Sequence, residues 1–252
     1  MSIKDQADIL GLQRAGKFIA DTLAEMKRRV RPGMTTAELD EIAGKRFRES
    51  GARSAPMLTY NFPGYTCISL NRAVAHGIPS EKNVIQAGDL INIDVSAELD
   101  GYFADTGHSF QVPPFTHEKS RLCRYTNTVL ERVLSRVRAG MRINEIGRIV
   151  QQSAHDGGYT VIQNLAGHGT GRALHEEPSD IVSYHNPRDQ RVLREGMVIA
   201  IEPFLSTGDH YVRQMNDGWT LTTSENAYAA QHEHTVIVTR GKPIVLTRRQ
   251  AA

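Results

Sequence analysis

Five side chains of the types that bind metal ions are spread over the last two thirds of this 252-residue chain. Four are carboxylates and one is an imidazole: Asp94, Asp105, His168, Glu202 and Glu233. Oxygen-rich ligands with one nitrogen suit hard or borderline divalent ions, and four carboxylates carry enough negative charge for two of them. Two metal ions held close together by bridging carboxylates can activate water for hydrolysis. The set therefore predicts a dinuclear hydrolytic site.

The first two carboxylates are expected on adjacent strands. Segments 90–99 and 102–112 predict a hairpin around Asp100-Gly101, a favoured two-residue turn. Antiparallel pairing about this turn would place Asp94 and Asp105 roughly opposite each other. Like charges that face each other across a sheet are destabilising, so this pair predicts a cation between the two strands.

Each candidate taken alone also has an ordinary structural explanation. Asp94 could be a buried carboxylate with an ion-pair partner, because an uncompensated buried charge is very costly. Glu202 could be one of the many glutamates at sheet edges, and a lone histidine such as His168 is more often structural than a ligand. His76 and His175 lie beside Gly or Pro turns. They could be exposed loop residues, or proton donors at the rim of a cleft.

The composition is that of an ordinary folded protein, with 40% hydrophobic and 23% charged residues and a formal net charge of +2. This charge gives no support for nucleic-acid binding. The two cysteines, Cys67 and Cys123, form neither a disulfide framework nor a zinc knuckle, which favours a reducing compartment. No signal peptide and no stretch of about 18 apolar residues is present. We therefore expect a cytoplasmic protein that does not interact with membranes.

Hydrophobic periodicity predicts an order of helices and strands. A helix is expected over about residues 5–30, and a second helix from Thr35 or Thr36 to near Gly51. Strand signals dominate residues 55–112, and a long helix follows over about 116–138. Later strands are expected at 197–202 and 233–238.

The second half of the chain repeats part of the first. The run 30–42, Val-Arg-Pro-Gly-Met-x-x-x-Glu-Leu-x-x-Ile, returns 107 residues later as Val-Arg-Ala-Gly-Met-x-x-x-Glu-Ile-x-x-Ile. Chance similarity of two amphipathic helices is one explanation. The shared Val-Arg-x-Gly-Met favours a duplication that produced two related halves.

Seven motifs, taken together and in order, resemble type I methionine aminopeptidase over about residues 5–247. They are Ala75-His76-Gly77-Ile78-Pro79, Asn92-Ile93-Asp94-Val95, Asp100-Gly101-Tyr102-x-x-Asp105-Thr106, Gly167-His168-Gly169-Thr170-Gly171, His175-Glu176-Glu177-Pro178, Ile201-Glu202-Pro203 and Glu233-His234-Thr235. The resemblance implies the α+β pita-bread fold, in which two pseudo-symmetric halves form a curved antiparallel sheet backed by helices. It also implies one catalytic domain over residues 1–252, with pseudo-repeats at about 5–112 and 116–247.

The same resemblance implies roles for individual residues. The metal ligands would be Asp94, Asp105, His168, Glu202 and Glu233, and they would hold two divalent ions from among Co, Mn, Fe, Zn and Ni. His76 would help to deliver a proton to the new amine, His175 would stabilise the tetrahedral intermediate, and Glu202 would also take the proton of the attacking water. The substrate pocket would contain Tyr60, Phe62, Cys67, His76, Leu174 and Trp219.

Two residues depart from the family pattern. Leu174 stands where the family usually has Phe before His-Glu-Glu-Pro, and Ala75 stands where Cys is common before His-Gly-Ile-Pro. These changes bear on side-chain specificity more than on the hydrolytic chemistry. An apolar pocket for a flexible thioether is still expected.

The resemblance implies that the protein removes initiator methionine from the N-terminal peptides of nascent chains when the second residue is small. We further predict a monomer without specific nucleic-acid binding, and contact with the ribosome through the basic segments 27–31 and 248–249. The main alternative is a proline-specific aminopeptidase or dipeptidase of the same fold. An inactive binding protein is a third hypothesis, although such proteins have lost metal ligands and all five are present here.

Overall fold

The computed structural model describes residues 1–249, so residues 250–252 of the predicted domain lie outside it. The helices in this range are α1 (Gln6–Arg29), α2 (Thr36–Ser50), α3 (Ala55–Tyr60), α4 (His117–Leu134) and α5 (Asn144–Asp156). The first strands are β1 (Arg53–Ser54), β2 (Cys67–Leu70), β3 (Ala73–Ala75), β4 (Leu90–Leu99) and β5 (Tyr102–Gln111). The later strands are β6 (Thr160–Val161), β7 (Ala166–Gly169), β8 (Glu176–Val182), β9 (Val198–Ile201), β10 (Phe204–Ser206), β11 (Arg213–Gln214), β12 (Leu221–Thr222), β13 (Ala229–Gln231), β14 (His234–Ile237) and β15 (Ile244–Val245).

The first two helices begin and end as their sequences predict. Asp5 caps α1 by accepting a hydrogen bond from the backbone of Asp8. Thr35 and Glu38 form a reciprocal capping box at the start of α2, and Gly51 ends α2 in the left-handed conformation. The buried stripe of α1 then packs against the β4–β5 hairpin, which fixes the sheet that carries the first two carboxylates.

The β4–β5 hairpin has the predicted two-residue turn, with Asp100 and Gly101 both at positive φ. Its register differs from the expectation for the two carboxylates, which are not directly opposite each other. Asp94 pairs with Gly107, and Asp105 pairs with Ser96. The carboxylates are therefore diagonal neighbours on one face of the sheet.

Two other predicted boundaries were wrong. The strand-rich region does not begin at residue 55, because α3 occupies Ala55–Tyr60, with Ser54 as its N-cap and Pro56 in its first turn. The helix expected to reach residue 138 ends at Leu134. Its last turn continues into a tighter turn in which the backbone N–H of Arg136 donates to the carbonyl of Val133.

The repeated Gly-Met motif forms the same turn in both halves. Gly33 and Gly140 have φ angles of 87° and 88°, and each motif methionine donates its N–H to the arginine carbonyl three residues earlier at 3.2 Å. Each motif also pairs with a later segment of its own half, through Ile85 in the first and Leu193 in the second. Helix, turn and helix are thus duplicated with their contacts.

The two halves meet where their sheets join. The first half carries a four-stranded antiparallel sheet (β1, β4, β2 and β5), and the second carries a five-stranded sheet in the order β15-β14-β9-β7-β8. Thr106 of β5 donates to the carbonyl of Glu233 at 2.9 Å, and the Glu233 N–H donates to Gly107. This mixed architecture agrees with the predicted α+β fold. Within residues 1–249, the helices are too short or too polar to cross a membrane.

Candidate metal centre

Asp105 lies at the centre of the carboxylate cluster, where the two sheets meet. Ligand atoms of Asp105, His168 and Glu233 all lie within 4.8 Å of one another, and all three residues are buried. Ser96 donates a hydrogen bond of 2.6 Å to Oδ1 of Asp105. The Thr235 hydroxyl both accepts from the N–H of Asp105 and donates to its carbonyl, so the backbone at this position is fixed by the second half of the chain.

His168 enters the cluster from β7 with a defined tautomer. Its Nδ1 donates to the carbonyl of Gly169 at 2.9 Å, which leaves the Nε2 lone pair free for a metal ion. Nε2 lies 3.8 Å from Asp105 Oδ2 and 3.7 Å from Glu202 Oε1. The flanking glycines serve strand packing, because a Cβ on Gly167 would lie 2.4 Å from the carbonyl oxygen of Ala200.

Glu233 presents one oxygen with a protein partner and one without. Its Oε2 accepts a hydrogen bond of 3.0 Å from the Gln231 side chain. Its Oε1 is buried and has no hydrogen-bond partner among the described residues. A buried carboxylate oxygen left without a donor is costly, so a bound cation at this position would satisfy it.

Glu202 and Asp94 complete the cluster from two different sheets. Glu202 directly follows β9, and its side chain is 12% exposed. Asp94 projects from the middle of β4, opposite Cys67 of β2, and is partly buried. The structure therefore brings all five predicted metal ligands together, although they come from five separate strands or strand ends.

The cluster is strongly unfavourable for negative charge unless cations are bound. Burial, followed by the charge of Asp105, raises the pKa of Asp94, Glu202 and Glu233 well above the ordinary carboxyl range. No Lys or Arg forms an ion pair with these carboxylates in the described part of the chain. The donor set and the partnerless Glu233 oxygen therefore fit hard or borderline divalent ions.

His76 and His175 are exposed and lie at the rim of the cluster. Burial on the inner side, followed by the neighbouring His168 imidazole, lowers the pKa of His175 to about 4. The ring centres of His175 and His168 are 4.1 Å apart. Burial also lowers the pKa of His76, which nearby Asp105 opposes. Both rings are consequently neutral at pH 7, when a neutral imidazole can donate one hydrogen bond and accept another.

The backbone at His76 is held in an unusual conformation. Its φ is 54°, in the left-handed region that non-glycine residues rarely adopt. The adjacent Gly77 accepts from the N–H of Ile68 and donates to Ser69, and a Cβ on Gly77 would lie 2.3 Å from a backbone oxygen. Such strain is common where a side chain is aimed into a functional site.

Four of the six predicted pocket residues make identifiable side-chain contacts. Phe62 and Trp219 contact each other edge to face, with ring centres 5.2 Å apart. Leu174 instead packs against Ala55 and Phe103. Tyr60 is exposed, and its hydroxyl contacts His175.

Three supporting residues were missed in the sequence. Ser96 and Gln231 each lie two residues from a predicted ligand and therefore share its strand face, which was a usable signal. Gln231 also accepts from Asn92 at 2.8 Å, which links the two sheets behind Glu233. The role of Thr235 depends on contact with Asp105, 130 residues away, and local spacing could not indicate it.

Comparison with known proteins relates the whole chain to one family. The sequence profile of metallopeptidase family M24 matches residues 11–240. Methionine aminopeptidase 2 of Bacillus subtilis is 44% identical over 248 residues, covering 98% of this chain and all of the relative. Methionine aminopeptidase of Escherichia coli is 38% identical, covering 99% of this chain and 95% of the relative. The crystal structure of a methionine aminopeptidase from Thermotoga maritima superposes with a TM-score of 0.94 at 32% identity, covering 99% and 100% of the two chains.

Prolidases share the fold at a greater distance. The prolidase of Pyrococcus furiosus superposes with a TM-score of 0.79, but at 23% identity and over only 66% of its own length. This similarity concerns the fold alone. The relatives described above that match over their full length at 32% identity or more are methionine aminopeptidases.

Proposed function

We propose a centre of two divalent ions for this chain, which belongs to metallopeptidase family M24 and removes N-terminal initiator methionine as a metal-dependent aminopeptidase. The proposed ligands of the ions are Asp94, Asp105, His168, Glu202 and Glu233. Asp105 and Glu233 would each help to hold both ions. The single observation that carries this proposal is the buried, uncompensated carboxylate cluster around Asp105 and His168 Nε2.

The residues of the site divide the hydrolytic chemistry among them. When bound, the ions lower the pKa of water and polarise the scissile carbonyl. Glu202 accepts a proton from the attacking water. His175 donates a hydrogen bond to the oxygen on which negative charge develops, and His76 helps to deliver a proton to the departing amine.

Specificity resides beside the metal centre. Phe62 and Trp219 offer aromatic surface for the methionine side chain, and Cys67 adds a thiol whose pKa is raised by burial. Tyr60, His76 and Leu174 remain predicted members of this pocket. The preference for a small second residue in the substrate is proposed from the family resemblance.

We also propose several properties of the protein in its cell. We place the enzyme in the cytoplasm as a monomer that acts on nascent chains, with the basic segments 27–31 and 248–249 near the ribosome. The single catalytic domain extends over residues 1–252, with repeats at about 5–112 and 116–247. Sedimentation velocity tests the monomer, and co-sedimentation with ribosomes tests the contact.

A substrate comparison tests the proposed function directly. The protein is stripped with chelator, reloaded with Mn or Co, and offered Met-Ala-Ser or Ala-Pro-Ala. We expect metal-dependent release of methionine from the first peptide alone. Cleavage of Ala-Pro-Ala in preference would transfer the function to proline-specific hydrolysis, and no cleavage of either peptide by metal-loaded protein would indicate a binding protein.

A further inference from the structure

Tyr60, which is not one of the proposed metal ligands, contacts His175 at the rim of the metal cluster. The Tyr60 hydroxyl lies 2.5 Å from Nδ1 of His175, although the two residues are 115 positions apart in sequence. Their rings are 5.5 Å apart and inclined at 42°, so the contact is a hydrogen bond rather than ring stacking. Among residues 1–249, no protein group forms a hydrogen bond to the other ring nitrogen of His175.

The chemistry of the phenol and the imidazole indicates which group donates this hydrogen bond. A phenol retains its proton at neutral pH and donates it well, and a neutral imidazole has one acceptor nitrogen and one N–H. If the Tyr60 hydroxyl donates, Nδ1 must be the acceptor and Nε2 must carry the hydrogen. Nε2–H is then the group left to face a substrate. A ring that turned about its χ2 bond would lose the contact with Tyr60, so the hydrogen bond also selects an orientation.

Helix α3 holds both residues of the Leu174-His175 pair. Ala55, at the first position of α3, packs with Leu174 in a small buried cluster, and Tyr60, at the last position, bonds His175. Both ends of α3 are fixed, by the Ser54 cap and by the left-handed Asn61. A short helix clamped at both ends is a rigid support for the imidazole.

We propose that Tyr60 is a positioning residue, which holds His175 in the Nε2–H tautomer and points that N–H into the cleft. This rests on the proposed role of His175 as a donor to the developing oxyanion. Tyr60 thereby acts on turnover, in contrast to a residue that only lines the methionine pocket. Hydrogen bonds that orient a catalytic group affect the transition state more than the binding of substrate.

The test is Tyr60→Phe, which keeps the ring and removes the hydroxyl. We expect kcat for Met-Ala-Ser to fall roughly 10-fold, as when the outer partner of a functional histidine is lost, while KM and bound metal stay within about twofold. In a His175→Ala background the same change should have no further effect. Tyr125→Phe is the matched control, because it removes one hydroxyl that donates to Ser153 far from the cleft.

Nitrogen NMR of His175 in zinc-loaded protein gives a readout that is independent of activity. We expect Nδ1 to have the shift of an unprotonated acceptor in the parent protein, and this signal to change in Tyr60→Phe. A raised KM with unchanged kcat, or an equal loss of activity without His175, would overturn the proposal, as would a proton on Nδ1. Failure of the parent protein to release methionine would instead overturn the proposed function.

Discussion

Two buried groups of titratable side chains lie on opposite faces of the segment 232–234. On one face, Glu233 joins the carboxylate cluster described above. On the other, His232 and His234 point away from the cleft, and the His232 ring lies 4.2 Å from that of His108. We refer to His108, His232 and His234 as the histidine group. Both groups are largely shielded from water, but the free-energy cost of burying charged side chains is avoided in a different way in each group.

The histidine group avoids charge altogether. Burial, followed by nearby positive side chains, lowers the pKa of His108 to about 2, of His232 to about 3 and of His234 to about 4. An imidazole with such a pKa is neutral at pH 7 and costs little. Lys27 even donates a hydrogen bond of 2.7 Å to His108 Nε2, which requires that nitrogen to be unprotonated.

The carboxylate cluster cannot be uncharged at neutral pH unless several of its carboxyl groups are protonated. Its members have raised pKa values because they are buried beside one another. Bound cations remove the conflict by compensating the charge. The comparison teaches that burial alone does not mark a functional site; burial of like charges without protein counter-charges does.

The largest effect is expected from Asp105→Asn, which removes the central member of the cluster. We expect loss of at least one bound ion and a fall in kcat of about 10³-fold or more, because the residues of such a centre act as a unit. Elemental analysis and turnover of Met-Ala-Ser measure the two effects. Glu98→Gln is the matched control: Glu98 is also buried on β4 but is paired with Arg53 at 2.6 Å, so its loss should leave the metal content unchanged.

The second largest effect is expected from replacing His175, which we propose to be catalytic, unlike the members of the histidine group. His175→Ala should lower kcat by roughly 10²–10³-fold with normal metal content, as expected for loss of one transition-state donor. The exposed His155 gives a control, since His155→Ala should change neither quantity. A drop in metal stoichiometry after His175→Ala would make that residue a ligand.

The pH dependence of stability should differ between metal-free and metal-loaded protein. Carboxyls whose pKa is raised on folding stabilise the protein at low pH, and this contribution is lost as the pH rises from about 4 through the raised values. Between pH 6.5 and 9 the histidine group no longer titrates. Over this range the free energy of unfolding should fall in chelated protein and stay nearly level with Mn bound. Denaturant titrations that gave parallel pH profiles would contradict uncompensated charge in the cluster.

The histidine group is expected to have a smaller effect on the free energy of unfolding. Its contribution increases with pH, whereas that of the metal-free carboxylate cluster decreases. Because the pKa of His232 is lowered on folding, its contribution to stability is present above about pH 6.5 and is lost as the pH falls below that value. The free energy of unfolding is expected to decrease between pH 7 and pH 5. In His232→Phe this decrease should be smaller by about 2 kcal/mol than in the parent protein. The comparison is made between pH values within each protein, so any constant packing change cancels. An unchanged pH slope would mean that the pKa of His232 does not change on folding.

The sequence alone predicted those features that depend on local pattern or on recognised motifs. The hairpin around Asp100, the capped helix α2 and the α+β fold were confirmed. The diagonal offset of Asp94 and Asp105 was missed, although a two-residue turn fixes the register. Helix α3 was missed because six residues are too few for a helical period, and only Ser54 and Pro56 signalled it.

Other features depend on segments that are distant in sequence. The hydrogen bonds from Gln231 to Glu233 and from Asn92 to Gln231 require both sheets to be in place. The contact between Tyr60 and His175 likewise depends on how α3 packs against Leu174. Spacing in the chain could suggest such residues as neighbours of a site, but not which atoms would meet.

The most direct test of the account is a metal titration of chelated protein. Mn²⁺ is added stepwise while bound ions per chain and release of methionine from Met-Ala-Ser are measured on the same samples. We predict no release before metal is added, activity that rises with occupancy, and saturation at two ions per chain. Full activity of the stripped protein, or saturation at a single ion, would contradict a dinuclear centre held by the five buried side chains.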